Sequence, residues 1–367
     1  MRTASSSTWN AQQGVTLIEL MVGLFVSLIV VAAGFVVLTT TEKATRANEQ
    51  TVDTQQNVRI AMELIARDIK VAGFGMLPPP NTPVGTCSIG GNAAAIVPLD
   101  QTPGGADTGA DQIRLLVPLG NSVAPAWTLT NATGGVAGFT QIALPGTPAP
   151  GAVQNMVSAG LAVGSMISIG GAVTTTVTSV NVGGNTINFT GTNAIPGPTA
   201  FGVGAPVYIL QCVTYDVGTT TALCGGGNSP CLRRNGISIA EGIEDIQFEY
   251  ACDGCVSAVN GGIVDGIVDN QGGAAGYDAP DFVMNNTWAT SPMTPDKIRL
   301  VKIFIVARQE AADQGLGEKQ VAGVQTQTAL VVSDHNHSAD AGFNLATYQQ
   351  FRRRVLTKTV ETRNTGL

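Results

Sequence analysis

Residues 14–38 read GVTLIELMVGLFVSLIVVAAGFVVL. From Val15 to Leu38 the run is predominantly apolar. As a helix it would extend roughly 36 Å at ~1.5 Å per residue, enough to cross the ~30 Å hydrocarbon core of a bilayer. Its one ionisable residue is Glu19. A carboxylate in lipid costs about 2.5–3.5 kcal/mol at a helix centre, so an acid within such a run marks a functional position. Glu19 lies near the start of the run, where an interface softens that cost. The segment before it, MRTASSSTWNAQQG (residues 1–14), is short and polar.

Simpler accounts fit this stretch less well. An ordinary signal anchor would carry Glu19 as a stray acid. A secretory signal peptide would use Ala32-Ala33-Gly34 as a small-residue cleavage site, but the apolar run continues through Phe35-Val36-Val37-Leu38. A buried core helix would not be apolar all round over such a length.

Past the apolar run, Thr39 to about Ala72 turns amphipathic. Val58, Met62, Ile65, Ile69 and Ala72 recur at steps of four and three, which places them on one helical stripe. That stripe is expected to bury against a sheet. Glu63 and Arg67 are spaced for an i,i+4 ion pair. Gly73, Gly75 and Pro78-Pro79-Pro80 end the helix.

After Pro80 the chain is rich in Gly, Pro, Thr and Asn, with short alternating runs. Strands are expected at Ile113–Val117, Met166–Ile169, Val173–Val180, Asn185–Thr190 and Val207–Tyr215, with Val173 to Thr190 forming a hairpin across Gly183-Gly184. Later strands, Ile246–Tyr250, Ile298–Ala307 and Val355–Glu361, carry more charge. A boundary is placed near residues 216–232. The expected fold class is α+β: a long N-terminal helix, half membrane-spanning and half amphipathic, packed on a β-rich globular head.

The composition agrees with an extracytoplasmic head. Of 367 residues only 12% are charged and 5% aromatic, with 45 glycines and 18 prolines. The net charge is −7 and no long basic run occurs, which argues against a nucleic-acid partner. Two histidines, His335 and His337, leave few general bases or metal ligands.

Gly14-Val15-Thr16-Leu17-Ile18-Glu19-Leu20 resembles the prepilin processing site of the type IV pilin and type II secretion pseudopilin superfamily. The resemblance implies cleavage between Gly14 and Val15 by a prepilin peptidase, methylation of Val15, and Glu19 as the fifth mature residue. The sequence departs from that pattern in having Val rather than Phe or Met after the cut, and a single basic residue, Arg2, in the leader. Further segments resemble PilW-type minor pilins. They are Leu64-Ile65-Ala66-Arg67-Asp68-Ile69-Lys70-Val71-Ala72-Gly73-Phe74, Cys231-Leu232-Arg233-Arg234, the run from Ile239 to Tyr250, and Phe351-Arg352-Arg353-Arg354-Val355, ending at Arg363-Asn364. The J-type pseudopilin of type II secretion is the nearest cousin.

The resemblance implies a leader (1–14), a fibre-core half-helix (15–38), an amphipathic half (39–73), a β-rich region that could be an insertion (80–215) and a C-terminal sheet region (232–367). It implies an assembly role without catalysis or cofactor. The expected partners are the prepilin peptidase, other minor pilins, the major pilin and an inner-membrane assembly platform. The expected location is a single pass in the inner membrane with a periplasmic head, then the fibre. The alternatives are a type II secretion pseudopilin, a membrane-anchored periplasmic binding protein that never polymerises, and a secreted enzyme with carboxylate chemistry. For the last of these the sequence offers no nucleophile–base pair.

Six cysteines allow 15 pairings. In a periplasmic head, local Cys224–Cys231 and Cys252–Cys255 loops with a long-range Cys87–Cys212 bridge are expected. A four-thiolate zinc site from the last four competes, but only Cys252–Cys255 has the short spacing usual for zinc. A thioredoxin-like role for Cys252-Asp253-Gly254-Cys255 lacks βαβ context. Asp265 and Asp269 are weak calcium candidates without the dense oxygen ligands of an EF-hand. Asp334-His335-Asn336-His337 reads as a solvated loop. Arg352-Arg353-Arg354 is expected to alternate across a strand and meet acids on a neighbour.

Overall fold

The computed structural model describes residues 15–74, 76, 85–119, 127–134, 139–192, 200–256, 262–270, 277–312 and 328–365. Two compact units are formed by Met1–Val52 and Asp53–Leu367. One helix, Leu17–Val71, contributes to both.

In the first unit the helix opens on Thr16, whose Oγ1 accepts the Glu19 amide at 3.3 Å. Thr16-Leu17-Ile18-Glu19 has the spacing of a capping box, and it puts the carboxylate in the first turn, where the helix dipole favours negative charge. The apolar side chains that follow are exposed, Leu17 at 82% and Phe25 at 67% among them. Beyond Leu38 the hydroxyls of Thr39, Thr40 and Thr41 donate to the carbonyls of Val36 and Val37 at 2.7–3.1 Å, satisfying themselves on the helix.

In the second unit the helix from Asp53 onward is a packing element. Val58, Met62, Ile65, Ile69 and Ala72 are all buried, and with Ala61 and Ala66 they join the main core. That core also holds Ile113, Leu115, Val213, Tyr215, Ile246, Phe248, Ile303 and Ile305 from the strands. The pair expected between Glu63 and Arg67 is replaced. Glu63 is met by Lys358 at 2.7 Å and Arg67 turns to Asp68 at 3.4 Å, because the last strand brings a lysine alongside this face of the helix. The helix ends at Val71, and Gly73 follows with φ +78, where a Cβ would meet the Asn364 carbonyl at 2.6 Å. Gly73 N–H donates to Leu116 O at 2.9 Å, and Asn364 donates to Lys70 O at 3.3 Å, so the chain terminus packs on the helix end. Gly75 and Pro78–Pro80 lie outside the described residues.

The larger sheet is organised about strand Val207–Gly218. One edge of this strand pairs antiparallel with Gln112–Leu119, and that strand in turn with Ile96–Leu99. Its other edge takes Met166–Ile169 first and Cys231–Arg234 further along. Met166–Ile169 continues into the expected hairpin, Val173–Asn181 against Thr186–Thr192, with Asn181 opposite Thr186. The stretch between Gly218 and Cys231 is therefore a hairpin connection within one sheet. A second, three-stranded antiparallel sheet is formed by Ile243–Cys252, Ile298–Arg308 and Arg353–Glu361 in that order.

Gly242 is the passage from one sheet to the other. Its φ is +75, its N–H donates to Pro230 O and its carbonyl accepts from Arg308 N, both at 2.8 Å. A Cβ there would stand 2.7 Å from Arg308 O. A separate core of Trp127, Leu129, Ile142, Met156, Ile167, Val177 and Phe189 supports the middle of the chain. It includes a short helix, Ala152–Ser158, that no period of so few residues announces.

The cysteines form three bridges: Cys87–Cys212, Cys224–Cys231 and Cys252–Cys255, with Cα–Cα distances of 5.4, 5.9 and 5.9 Å. Cys224–Cys231 closes the hairpin connection. Cys87–Cys212 fastens the start of the sheet region to the central strand across 125 residues.

Candidate assembly site and the polar core of the head

The N-terminal segment combines a carboxylate in the first turn with an apolar helical surface that the described chain leaves uncovered. Such a surface fits lipid or the packed helices of a fibre. The helix is long and apolar enough to cross a membrane. Glu19 lies in its first turn and Val15 two residues before its start, both exposed, whereas Gly14 lies outside the described residues.

The head is fastened by ion pairs that join the distant motif segments. Asp68, buried on the helix, accepts Tyr215 Oη at 2.6 Å and Arg234 Nη2 at 3.0 Å. Burial first, and then the Asp68 carboxylate, push the Tyr215 phenol well above its ordinary value. Glu244 receives Arg353 as a two-nitrogen fork. Arg353 also lies over the Tyr348 ring, and Arg308 over Phe351. Only the middle arginine of Arg352-Arg353-Arg354 is buried, and it reaches Glu244 across the intervening Ile298–Arg308 strand.

Asp265 and Asp269 border the Cys252–Cys255 loop. Both Asp269 oxygens accept backbone amides, from Gly254 at 3.1 Å and Val256 at 3.0 Å. Asp265 Oδ1 accepts Ile267 N–H at 3.0 Å, and buried Asp253 accepts the amides of Asp265 and Gly266. The chemistry of these acids here is loop closure.

The histidines correct the sequence reading. His335 and His337 are each only 2% exposed, not part of a solvated loop. A two-residue ladder, Val331–Val332 with His335–Asn336, turns the chain so that both rings face inward onto Asp245 of the three-stranded sheet. Burial disfavours charge on both partners, but the mutual hydrogen bonds outweigh it. They hold Asp245 down at about 2 and His335 up at about 9. Nothing in the local sequence points to this, because Asp245 lies 90 residues from His335.

Close by, Asp100, Asp107 and Asp111 form an acidic group. Thr102 N–H donates to Asp107 at 2.8 Å, and Asp111 accepts the amides of Gln101 and Phe248. Burial and the neighbouring Asp107 charge push Asp100 up to about 7.

Comparison with known proteins agrees with this anatomy. Residues 9–35 match the prokaryotic N-terminal methylation motif. Residues 210–364, from the central strand to the tail that packs on the helix end, match the family described as Type IV Pilus-assembly protein W. No curated protein and no solved structure matches the chain.

An exposed apolar helix carrying a methylation motif, followed by a β-rich region, is consistent with a pilin-like fold. Residues 210–364 match that PilW family, and together with the N-terminal motif the match supports a type IV pilin-like minor pilin. The motif implies processing by a prepilin peptidase and partners within a pilus system.

Proposed function

We propose that the chain takes part in initiating assembly of a type IV pilus, within a tip-proximal complex of minor pilins. The observation that carries the proposal is one chain with both a methylation motif over 9–35 and a PilW match over 210–364. The leader, residues 1–14, is removed after Gly14 and Val15 becomes the methylated N-terminus. Residues 15–38 pass from the inner membrane into the fibre core, while residues 39–73 and the head remain on the periplasmic side. Within the head, residues 80–215 stand as an inserted β-rich region and 232–367 as the PilW-type sheet region. The partners are other minor pilins, the major pilin and the inner-membrane assembly platform. The work is structural, with no catalytic step.

Glu19 sets the register. In the fibre core an unpaired carboxylate is poorly solvated, and the amine created at Val15 of a neighbouring subunit offsets that cost. The position of Glu19 in the first turn, beside the cleaved end, supports this pairing. The test is Glu19→Val in the native host. The variant is expected to insert and be cleaved as the wild type is, yet be lost from sheared fibres and fail to restore piliation to a deletion strain. Normal incorporation would contradict the role assigned to Glu19. Unchanged fibre number in the deletion strain would contradict a part in initiation.

A further inference from the structure

The head buries a ligand set that pilus assembly does not use. Asp245 Oδ2 is approached by His335 Nδ1 at 2.9 Å and by His337 Nε2 at 3.4 Å. One ligand atom from each of these three residues lies within 4.8 Å of the others, and all three residues are buried. The outer nitrogens of both rings face one carboxylate. His335 Nε2 is 2.6 Å from Asp340 Oδ1, and His337 Nδ1 is 3.4 Å from Asp340 Oδ2. The second oxygen of Asp245 is already occupied by Gln247 Nε2 at 3.0 Å, and that amide is itself fixed by Gly109 O at 3.1 Å.

One atom of this set is unsatisfied. His337 Nε2 is buried without a hydrogen-bond partner, although it points at Asp245. A polar atom in that state is costly, and it calls for an explanation in terms of a missing partner. The arrangement around it is that of a coordination shell. Ligands at ~2.0–2.1 Å about a tetrahedral ion are separated by roughly 3.3 Å, close to the 2.9 and 3.4 Å found here. Histidine ligands characteristically give their other ring nitrogen to a carboxylate, which fixes the ring, and Asp340 stands in that position for both rings.

We propose that Asp245, His335 Nδ1 and His337 Nε2 bind one divalent transition-metal ion, zinc by the chemistry of its donors, with Asp340 and Gln247 as supporting residues. Two imidazoles and one carboxylate oxygen suit zinc and its neighbours, whereas calcium and magnesium require oxygen shells. A fourth position remains for water. The ion ties the His335–Asp340 turn to the edge strand Ile243–Cys252, so it acts as a clamp on the head.

The experiment uses the full-length protein in detergent, stripped with chelator and titrated with cobalt(II) as a spectroscopic substitute for zinc. The expected result is an intense visible absorption that saturates at one equivalent, is abolished by added zinc, and is accompanied by a higher melting temperature. His337→Gln should weaken binding at least a hundredfold, and Asp340→Asn, which removes only the outer support, by about 10- to 100-fold. X-ray absorption on the zinc-loaded wild type, which does not depend on any variant folding, should show two nitrogen neighbours at about 2.0–2.1 Å. An oxygen-only shell, as the Asp100–Asp107–Asp111 group would give, overturns the proposal. So does the absence of both absorption and thermal shift, or unchanged binding by a folded His337→Gln variant.

Discussion

Asp68 on the helix and Arg234 at the end of strand Cys231–Arg234 are 166 residues apart and meet at 3.0 Å, with Tyr215 donating to the same carboxylate oxygen. The contact joins the helix to two strands of the larger sheet at once. It links two of the short segments by which the chain resembles PilW-type pilins, Arg67-Asp68-Ile69 and Leu232-Arg233-Arg234. Those segments are thus complementary halves of one ion pair, holding the helix from Asp53 onward to the strands of the larger sheet.

Removing Arg234 leaves buried Asp68 with only Tyr215 and the exposed Arg67, 3.4 Å away, to offset its charge. Arg234→Ala is expected to lower the stability of the head by about 2–3 kcal/mol, somewhat below the usual cost of breaking a fully buried pair because the arginine is partly exposed. Asp68→Asn, which keeps an acceptor for Tyr215, should cost less. Urea denaturation monitored by circular dichroism measures both.

Gly242 passes the chain between sheets at φ +75 with Arg308 O directly beneath it. Gly242→Ala introduces an unfavourable backbone conformation and a clash with a main-chain atom that cannot swing aside. A loss of about 2–3 kcal/mol is expected in the same assay.

Asp100 gives the head a pH dependence of definite sign. Its carboxyl is raised from 3.8 to about 7 by burial and by Asp107. The folded state therefore holds a proton that the unfolded chain releases near pH 4. The stability this proton confers is full below about pH 4 and is lost as pH rises through about 7. Asp100→Asn carries no such charge, and its amide can donate to the unpartnered Asp107 Oδ2. The variant should be more stable than wild type at pH 8, by about 1 kcal/mol once solvent screening of this partly exposed group is counted. The advantage should vanish at pH 4, as thermal melts at the two pH values would show.

The Cys87–Cys212 bridge spans 125 residues. Replacing both cysteines by serine frees the longest covalent loop in the unfolded chain, and an entropic account expects a loss of about 4–5 kcal/mol. Cys224–Cys231 closes a far shorter loop, with a sequence separation of 7, and its loss should cost less. Denaturation of the two double variants compares them.

What could be read in advance follows the range of the interaction. The helix and its buried stripe from Val58 to Ala72 are written in a local period, and long strands such as Val207–Gly218 and Ile298–Arg308 show their alternation or β-branched content. The two-residue ladders at Ser88–Ile89 and Val331–Val332 are too short to have a period. The partners of Asp68 and Asp245 lie many residues away, and only the folded sheets bring them together. That is why the arginine motifs could be quoted but not paired. It is also why His335 and His337 read as a polar loop when they are a buried cluster. The hydrophilic look of Asp334-His335-Asn336-His337 reflects its composition, whereas its burial is decided by Asp245 beneath it.

The central claim is that this chain enters the pilin pathway through its N-terminus. Mass spectrometry of the intact protein and of its N-terminal peptide, taken from native membranes with and without the prepilin peptidase, tests it most directly. The account predicts a mature chain that starts at methylated Val15 and disappears when the peptidase is absent. A chain that still starts at residue 1 with the peptidase present, or one that starts at Phe35, would contradict it.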